Sequence, residues 1–176
     1  DAELTADPKK MVGVGMLFLP KLESIAQNCL EILQKHAEDL DLKILGYRHV
    51  PVDHKIPGVG AKPVEPSIKQ VFIQSNNDID EISLERKLFV LRNATTHEIG
   101  LTLQANNKAF YVCSMSCRSL VYKGQLRTNQ LRTYYIDLQN PKFKTAFAII
   151  HSRFSTNTFP NWKLAQPFHF IAHNGE

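Results

Sequence analysis

A chain of 176 residues is long enough to bury a real core, and its 43% hydrophobic and 22% charged residues are ordinary globular proportions. The formal charge of +4 comes from Lys and Arg residues spread along the chain, which reads as a mildly basic solvated surface and excludes a nucleic-acid footprint. No apolar run approaches the ~18 residues of a spanning helix and no signal-peptide pattern appears, which excludes a membrane partner of that kind.

In chain order, DAELTADPKK is polar, reads as unstructured and carries no initiator Met, so the chain is expected to begin inside a larger protein. Met11 to Leu19 is an apolar run closed by Pro20, the pattern of a buried strand. From Leu22 to Leu40 the period changes to helix, with Leu22, Ile25, Ala26, Cys29, Leu30, Ile32, Leu33 and Ala37 recurring at three- and four-residue steps. Leu42 to Val50 predicts a second strand ended by Pro51, and the Pro- and Gly-rich stretch Asp53 to Pro66 a loop. Gly58-Val59-Gly60 lacks the spacing and context of a phosphate loop and reads as a turn.

Ile68 to Ile73 predicts a short strand, and Ser83 is read as the cap of a helix running to about Leu103, with Leu84, Lys87, Leu88, Leu91, His97 and Leu101 near one face. Asn106-Asn107-Lys108 turns the chain into a strand at Phe110 to Cys113. Ser119 to Tyr122 is expected to make another strand ending at Gly124. Gln125 to Tyr135 suits a short helix. Phe143 to His151 and Phe168 to His173 read as two last strands, the first delivering Ser152 and Arg153, the second Asn174 and Gly175. About six strands in mostly hairpin succession with two long helices predict an α+β layered fold. The strand–helix–strand opening keeps a doubly wound sheet as the alternative.

The cysteines, Cys29, Cys113 and Cys117, are odd in number and have no framework spacing, which argues against a disulfide scaffold. Cys113-x-x-x-Cys117 has no second pair at zinc-finger spacing, so buried thiols in a reducing compartment are expected.

Chemistry concentrates in the last stretch, HSRFSTNTFPNWKLAQPFHFIAHNGE. Arg153 at a strand end can grip a carboxylate through its fork of donors. The Asn174 amide beside the Gly175 backbone N–H can stabilise a developing oxyanion. The loop from Thr156 to Lys163, with Phe159, Pro160 and Trp162, is placed to wall such a pocket. The plain alternative is that Arg153 pairs with a surface carboxylate and Asn174-Gly175 is a turn dipeptide. His169 and His173 face the same way on a strand, and with His151 would imitate a zinc site, but no Glu stands at a motif spacing to serve as base. Ser152 lacks a glycine-flanked elbow, and His151 as its strand neighbour points to the other face, which disfavours a serine nucleophile.

The same stretch closely resembles the segment near the glutamine site of glutamate synthase large subunits. VGVGMLFLP, ILGYRHVPVD, EPSIKQVFI, ERKLFVLR, FYVCSMSCRSLVYKG and YYIDL resemble successive parts of that family's amidotransferase domain. The shorter RFST and HNG elements fit the broader class of N-terminal-cysteine amidotransferases. The resemblance implies that residues 1–176 are a single partial domain, part of a four-layer αββα sandwich with mainly antiparallel sheets, the N-terminal nucleophile hydrolase fold. It implies hydrolysis of glutamine to glutamate and ammonia for transfer to 2-oxoglutarate. By position, Arg153 would bind the glutamine α-carboxylate, supported by Thr156 and the Asn157 backbone, and Asn174 with Gly175 would form the oxyanion hole.

The family's nucleophilic Cys is expected upstream of Asp1, and the acidic residue that holds the substrate amino group downstream of Glu176, so the chain alone is expected to be inactive. His169 stands where relatives usually carry arginine, and Cys117 where a small or hydroxyl residue is common. No metal or cofactor is expected in this segment, while FMN and an iron–sulfur cluster are expected in the parent, with its remaining domains and a small subunit or ferredoxin as partners. The expected compartment is the cytoplasm or a plastid. A non-catalytic binding or regulatory module on the same scaffold is the alternative function. Unpaired sheet edges predict self-association of the isolated chain.

Overall fold

The computed structural model describes residues 6–103, 110–154, 157 and 159–168, which divide into two compact units. The first comprises residues 1–50 and 66–120, the second residues 51–65 and 121–176.

In the first unit the expected elements form in order: β1 (Val12–Leu19), α1 (Glu23–Asp39), β2 (Leu42–His49), β3 (Ser67–Ser75), α2 (Glu81–Thr102) and β4 (Tyr111–Ser116). They make one four-stranded sheet in the order β2-β3-β1-β4, with every neighbouring pair antiparallel. The strand–helix–strand opening is real, but β3 inserts between its two strands. That placement excludes the doubly wound alternative for this sheet and leaves the α+β class.

Period-two alternation decides which face of the sheet the helices cover. On β1, Leu17 and Leu19 join the core with Val71 and Ile73 of β3, against Leu33 and Ala37 of α1 and Leu84, Leu88 and Leu91 of α2. Gly13 lies on the same alternation, and a Cβ there would stand 2.6 Å from Leu88 Cδ1, so its missing side chain lets α2 come close. On the other alternation Gln70 and Gln74 are buried yet satisfied. Arg48 donates from Nε to Gln70 Oε1 at 2.9 Å, and Gln74 bonds the backbone of Asp7 and Lys10. Residues 7 to 10, read as unstructured from their polarity, are therefore tied to β3.

Several boundaries differ from the sequence reading. The helix cap is Asp80, whose side chain accepts from the Ser83 N–H at 2.7 Å; Ser83 is the third helical residue. The buried stripe of α2 runs Leu84, Leu88, Leu91, Thr95 and Ile99, whereas Leu101 is 65% exposed and His97 also faces outward. Leu22, assigned to the α1 stripe, precedes the helix and is 61% exposed. Ser119 to Tyr122 belongs to no strand among the described residues. The chain leaves β4 at Ser116, whose Oγ accepts from the N–H groups of Arg118 and Ser119 and so turns the backbone away from a ladder.

The second unit holds α3 (Thr128–Tyr134), a 3-10 turn over Ile136–Gln139 and the loop 51–65. Side chains pin that loop along its length. Gln130 Nε2 donates to Ile56 O at 2.6 Å, Tyr134 Oη to Glu65 Oε1 at 2.7 Å and Trp162 Nε1 to Ala61 O at 2.9 Å. Tyr134 stacks edge-on against Tyr135 and tilted against Trp162, which gives this unit an aromatic core.

Phe143 to His151 forms no strand, and Phe147, Ile149 and Ile150 are 77–78% exposed. A strand needs a neighbour for its backbone groups, and among the described residues none pairs with this segment. The turn at 106–108 and the strand read over Phe168 to His173 lie outside the described residues, apart from Phe168 itself. Four strands, not about six, therefore form among the described residues.

Candidate active site

The second unit contains a cavity of about 330 Å³, walled by two stretches that are distant in sequence from its base. One wall stretch runs from Ile149 to Phe154 and the other from Ala165 to Pro167. The base comes from Tyr122 to Gly124, from α3 and from Leu138. Lys123, Arg127, Arg132 and Arg153 all line it, and among the described residues none that lines it is acidic. Such a surround attracts an anion, and a carboxylate is the group that an arginine fork fits best.

Lys123 holds the base to one wall. It is 2% exposed, and its Nζ donates to Lys163 O at 3.0 Å and Ala165 O at 2.8 Å, with the Phe168 ring centroid 4.8 Å away. Tyr135 Oη, donating to Lys123 O at 2.7 Å, fixes the lysine's own backbone. Next to it, a Cβ on Gly124 would stand 2.5 Å from Trp162 Cζ3, so the indole edge occupies the space a side chain would need.

Arg153 sits in this lining, exposed at its edge, beside His151 and Ser152. Asn157 is described and exposed but is not part of the lining. Thr156, His169, His173, Asn174 and Gly175 lie outside the described residues. None of the described residues of the loop before Lys163 walls the cavity as expected: Phe159 is 94% exposed, and Trp162 is buried with its N–H committed to Ala61. Sequence reasoning missed Lys123 and the turn at 165–167. The only signal in the sequence was the lysine within VYKG, where Gly124 looked like a strand end.

Two of the three thiols are shifted away from nucleophilic reactivity. Cys29 and Cys113 are buried. Burial pushes the Cys29 thiol up to about 11. Burial, and then the hydrogen bond and charge of Glu85, push Cys117 up to about 12. A nucleophilic thiol needs the opposite shift. Among the described residues no three His, Cys, Asp or Glu side chains gather as a metal site would require, and no helix is long and apolar enough to cross a membrane.

The profile of the family described as Glutamine amidotransferases class-II matches residues 1–176. The chain is 39% identical over 168 residues to the ferredoxin-dependent glutamate synthase 1, chloroplastic/mitochondrial, of Arabidopsis thaliana, covering 96% of this chain and 10% of that one. It is 42% identical over 164 residues to the ferredoxin-dependent glutamate synthase 2, chloroplastic, of the same plant, covering 93% and 10%. The large chain of the glutamate synthase [NADPH] of Azospirillum brasilense is 39% identical over 170 residues, covering 96% and 11%. The chain thus spans about a tenth of the length of the curated relatives it matches. With its α+β build and its match to the profile along the whole length, the chain belongs to the class-II glutamine amidotransferases, whose fold is that of the N-terminal nucleophile hydrolases.

Proposed function

We propose that residues 1–176 form part of the amidotransferase domain of a glutamate synthase and hold free glutamine in the cavity that Arg153 lines. In this reading they are one partial domain of a four-layer αββα sandwich. Arg153 takes the α-carboxylate, Thr156 and the Asn157 backbone support it, and Asn174 with Gly175 receive the oxyanion. A thiolate attacks the side-chain carboxamide, the tetrahedral oxyanion collapses to a thioester with loss of ammonia, and water releases glutamate. The raised or buried thiols of this segment support a nucleophile supplied from elsewhere in the parent.

The single observation carrying the reading is Arg153 in the wall of a cavity of about 330 Å³ whose lining, among the described residues, has basic side chains and no acidic one. That volume falls at the small end of the ~300–1,000 Å³ typical of ligand pockets, as suits a free amino acid. In the parent, ammonia passes to a domain with FMN and an iron–sulfur cluster, and a small subunit or ferredoxin delivers electrons, in the cytoplasm or a plastid.

The test uses the full-length protein. A hydrogen bond to a charged group contributes about 1.5–3 kcal/mol, so Arg153→Ala should raise KM for glutamine about 10- to 100-fold and change kcat less. Asn174→Ala should instead cost about 100- to 1,000-fold in kcat, the usual loss for an oxyanion donor. An unchanged KM in Arg153→Ala, or full turnover in Asn174→Ala, would remove that residue from its role.

A further inference from the structure

We propose that Lys123 is a positioning residue for glutamine hydrolysis: its ammonium staples the turn Lys163–Phe168 into the cavity wall and so sets the distance between that wall and Arg153. The proposal rests on the reading of this cavity as the glutamine site.

A lysine buried to 2% exposure is rare unless its charge is met, because desolvating an ammonium is costly. Two of its three donors meet the carbonyls of Lys163 and Ala165, and the Phe168 ring takes the cation from another side. These contacts bracket Ala165, Gln166 and Pro167, the three residues of the turn that line the cavity. The anchor itself is fixed, since Tyr135 Oη holds the Lys123 carbonyl and the Trp162 edge packs on Gly124. Arg153 reaches the same cavity from a separate stretch of the chain. Loosening the staple therefore shifts the wall formed by residues 165–167 relative to Arg153. The stapled turn also leads in sequence to Asn174, the residue assigned to the oxyanion. A wall shift of about 1 Å is enough to cost on the order of a hundredfold in rate, and it acts on turnover more than on substrate capture.

The experiment measures glutamine hydrolysis by the full-length protein. Lys123→Met keeps the length and apolar stem and removes the charge. It should lower kcat about 10- to 100-fold with KM within about threefold of the parent. Lys123→Arg, which retains donors and charge, should recover at least a fifth of the parent kcat. Equal kcat in Lys123→Met and the parent overturns the proposal, as does a Lys123→Arg variant no better than Lys123→Met. Should Lys123→Met fail to fold, judged by its thermal melt, Lys123→Gln carries the same test: a loss confined to kcat supports the staple, and an unchanged kcat or an equal loss in KM overturns it. Arg153→Ala measured alongside separates the two ideas. If its KM rises while Lys123→Met is unaffected, only the staple falls. If the Arg153→Ala KM is unchanged, the glutamine reading falls with it.

Discussion

Cys117 shows how far one environment can move a side chain from its ordinary chemistry. Half-buried after β4, it donates from its backbone N–H to Glu85 Oε1 at 2.5 Å, and its thiol lies beside that carboxylate. A thiol raised to about 12 has roughly a thousandfold less thiolate at neutral pH than a free cysteine near 8.5. Alkylation by iodoacetamide at pH 7, followed by mass spectrometry, should accordingly be at least about a hundredfold slower at Cys117 than in an unstructured peptide. A rate like the peptide's would show that the carboxylate contact is not made. At the same scale, Glu65 is a buried carboxylate that accepts from Tyr134 Oη at 2.7 Å and contacts His54 Nδ1 at 2.9 Å. Tyr134→Phe keeps the ring and deletes the donor, leaving buried charge less satisfied. The loss should be about 1–3 kcal/mol in urea unfolding, with little change in m. A midpoint identical to the parent's would mean that water replaces the hydroxyl at no cost.

Within elements, α2 offers two contrasting tests. Thr95 is fully buried on its inner stripe, and its Oγ1 has no hydrogen-bond partner among the described residues. Thr95→Val keeps the shape and removes the stranded hydroxyl, so stability should rise by about 1 kcal/mol; a fall would mean that the hydroxyl is bonded after all. Glu85 tests electrostatics. Burial works to raise its carboxyl, but the Cys117 and Ser116 hydrogen bonds and the Arg118 charge outweigh it and leave it below the usual carboxylate range. A carboxyl held low in the folded state adds stability above its unfolded pKa of about 4.3, and that stability disappears as pH falls through the lower folded value. The urea midpoint should therefore drop below about pH 4. Glu85→Gln, which still accepts through its amide oxygen, should flatten that acid limb, and an unchanged slope would show the carboxylate to be indifferent.

At the scale of the whole molecule, exposed apolar surface is the feature to explain. Phe147, Ile149 and Ile150 lie open on a segment with strand-like sequence and no described partner. The isolated chain should self-associate as its concentration rises, and replacing these three with Thr should suppress the effect in sedimentation velocity. A chain that stays monomeric at all concentrations would refute this. The same segment marks the limit of local reading. α1 and β3 were legible because their apolar periods match their own geometry, and a period is a property of neighbours along the chain. Phe143 to His151 has a strand's composition as well, but a strand exists only when another backbone completes its hydrogen bonds. Ser119 to Tyr122 failed for the same reason, because β4 ends in a turn held by Ser116.

Arg153, read from the sequence as a site candidate because a guanidinium among hydroxyls has few structural uses, does line the cavity, and the ordered motif matches pointed to one family. Lys123 was not, since nothing in VYKG says that its charge will be enclosed by the carbonyls of Lys163 and Ala165. The order of helices and strands in the first unit, the class of fold and the family followed from the sequence by itself, through periodicity and motif. Only the tertiary structure decided which strand slips between β1 and β2, which residues wall the cavity and which lysine anchors it. Burial and hydrogen-bond partners arise from segments brought together across the chain, and local sequence does not encode that meeting.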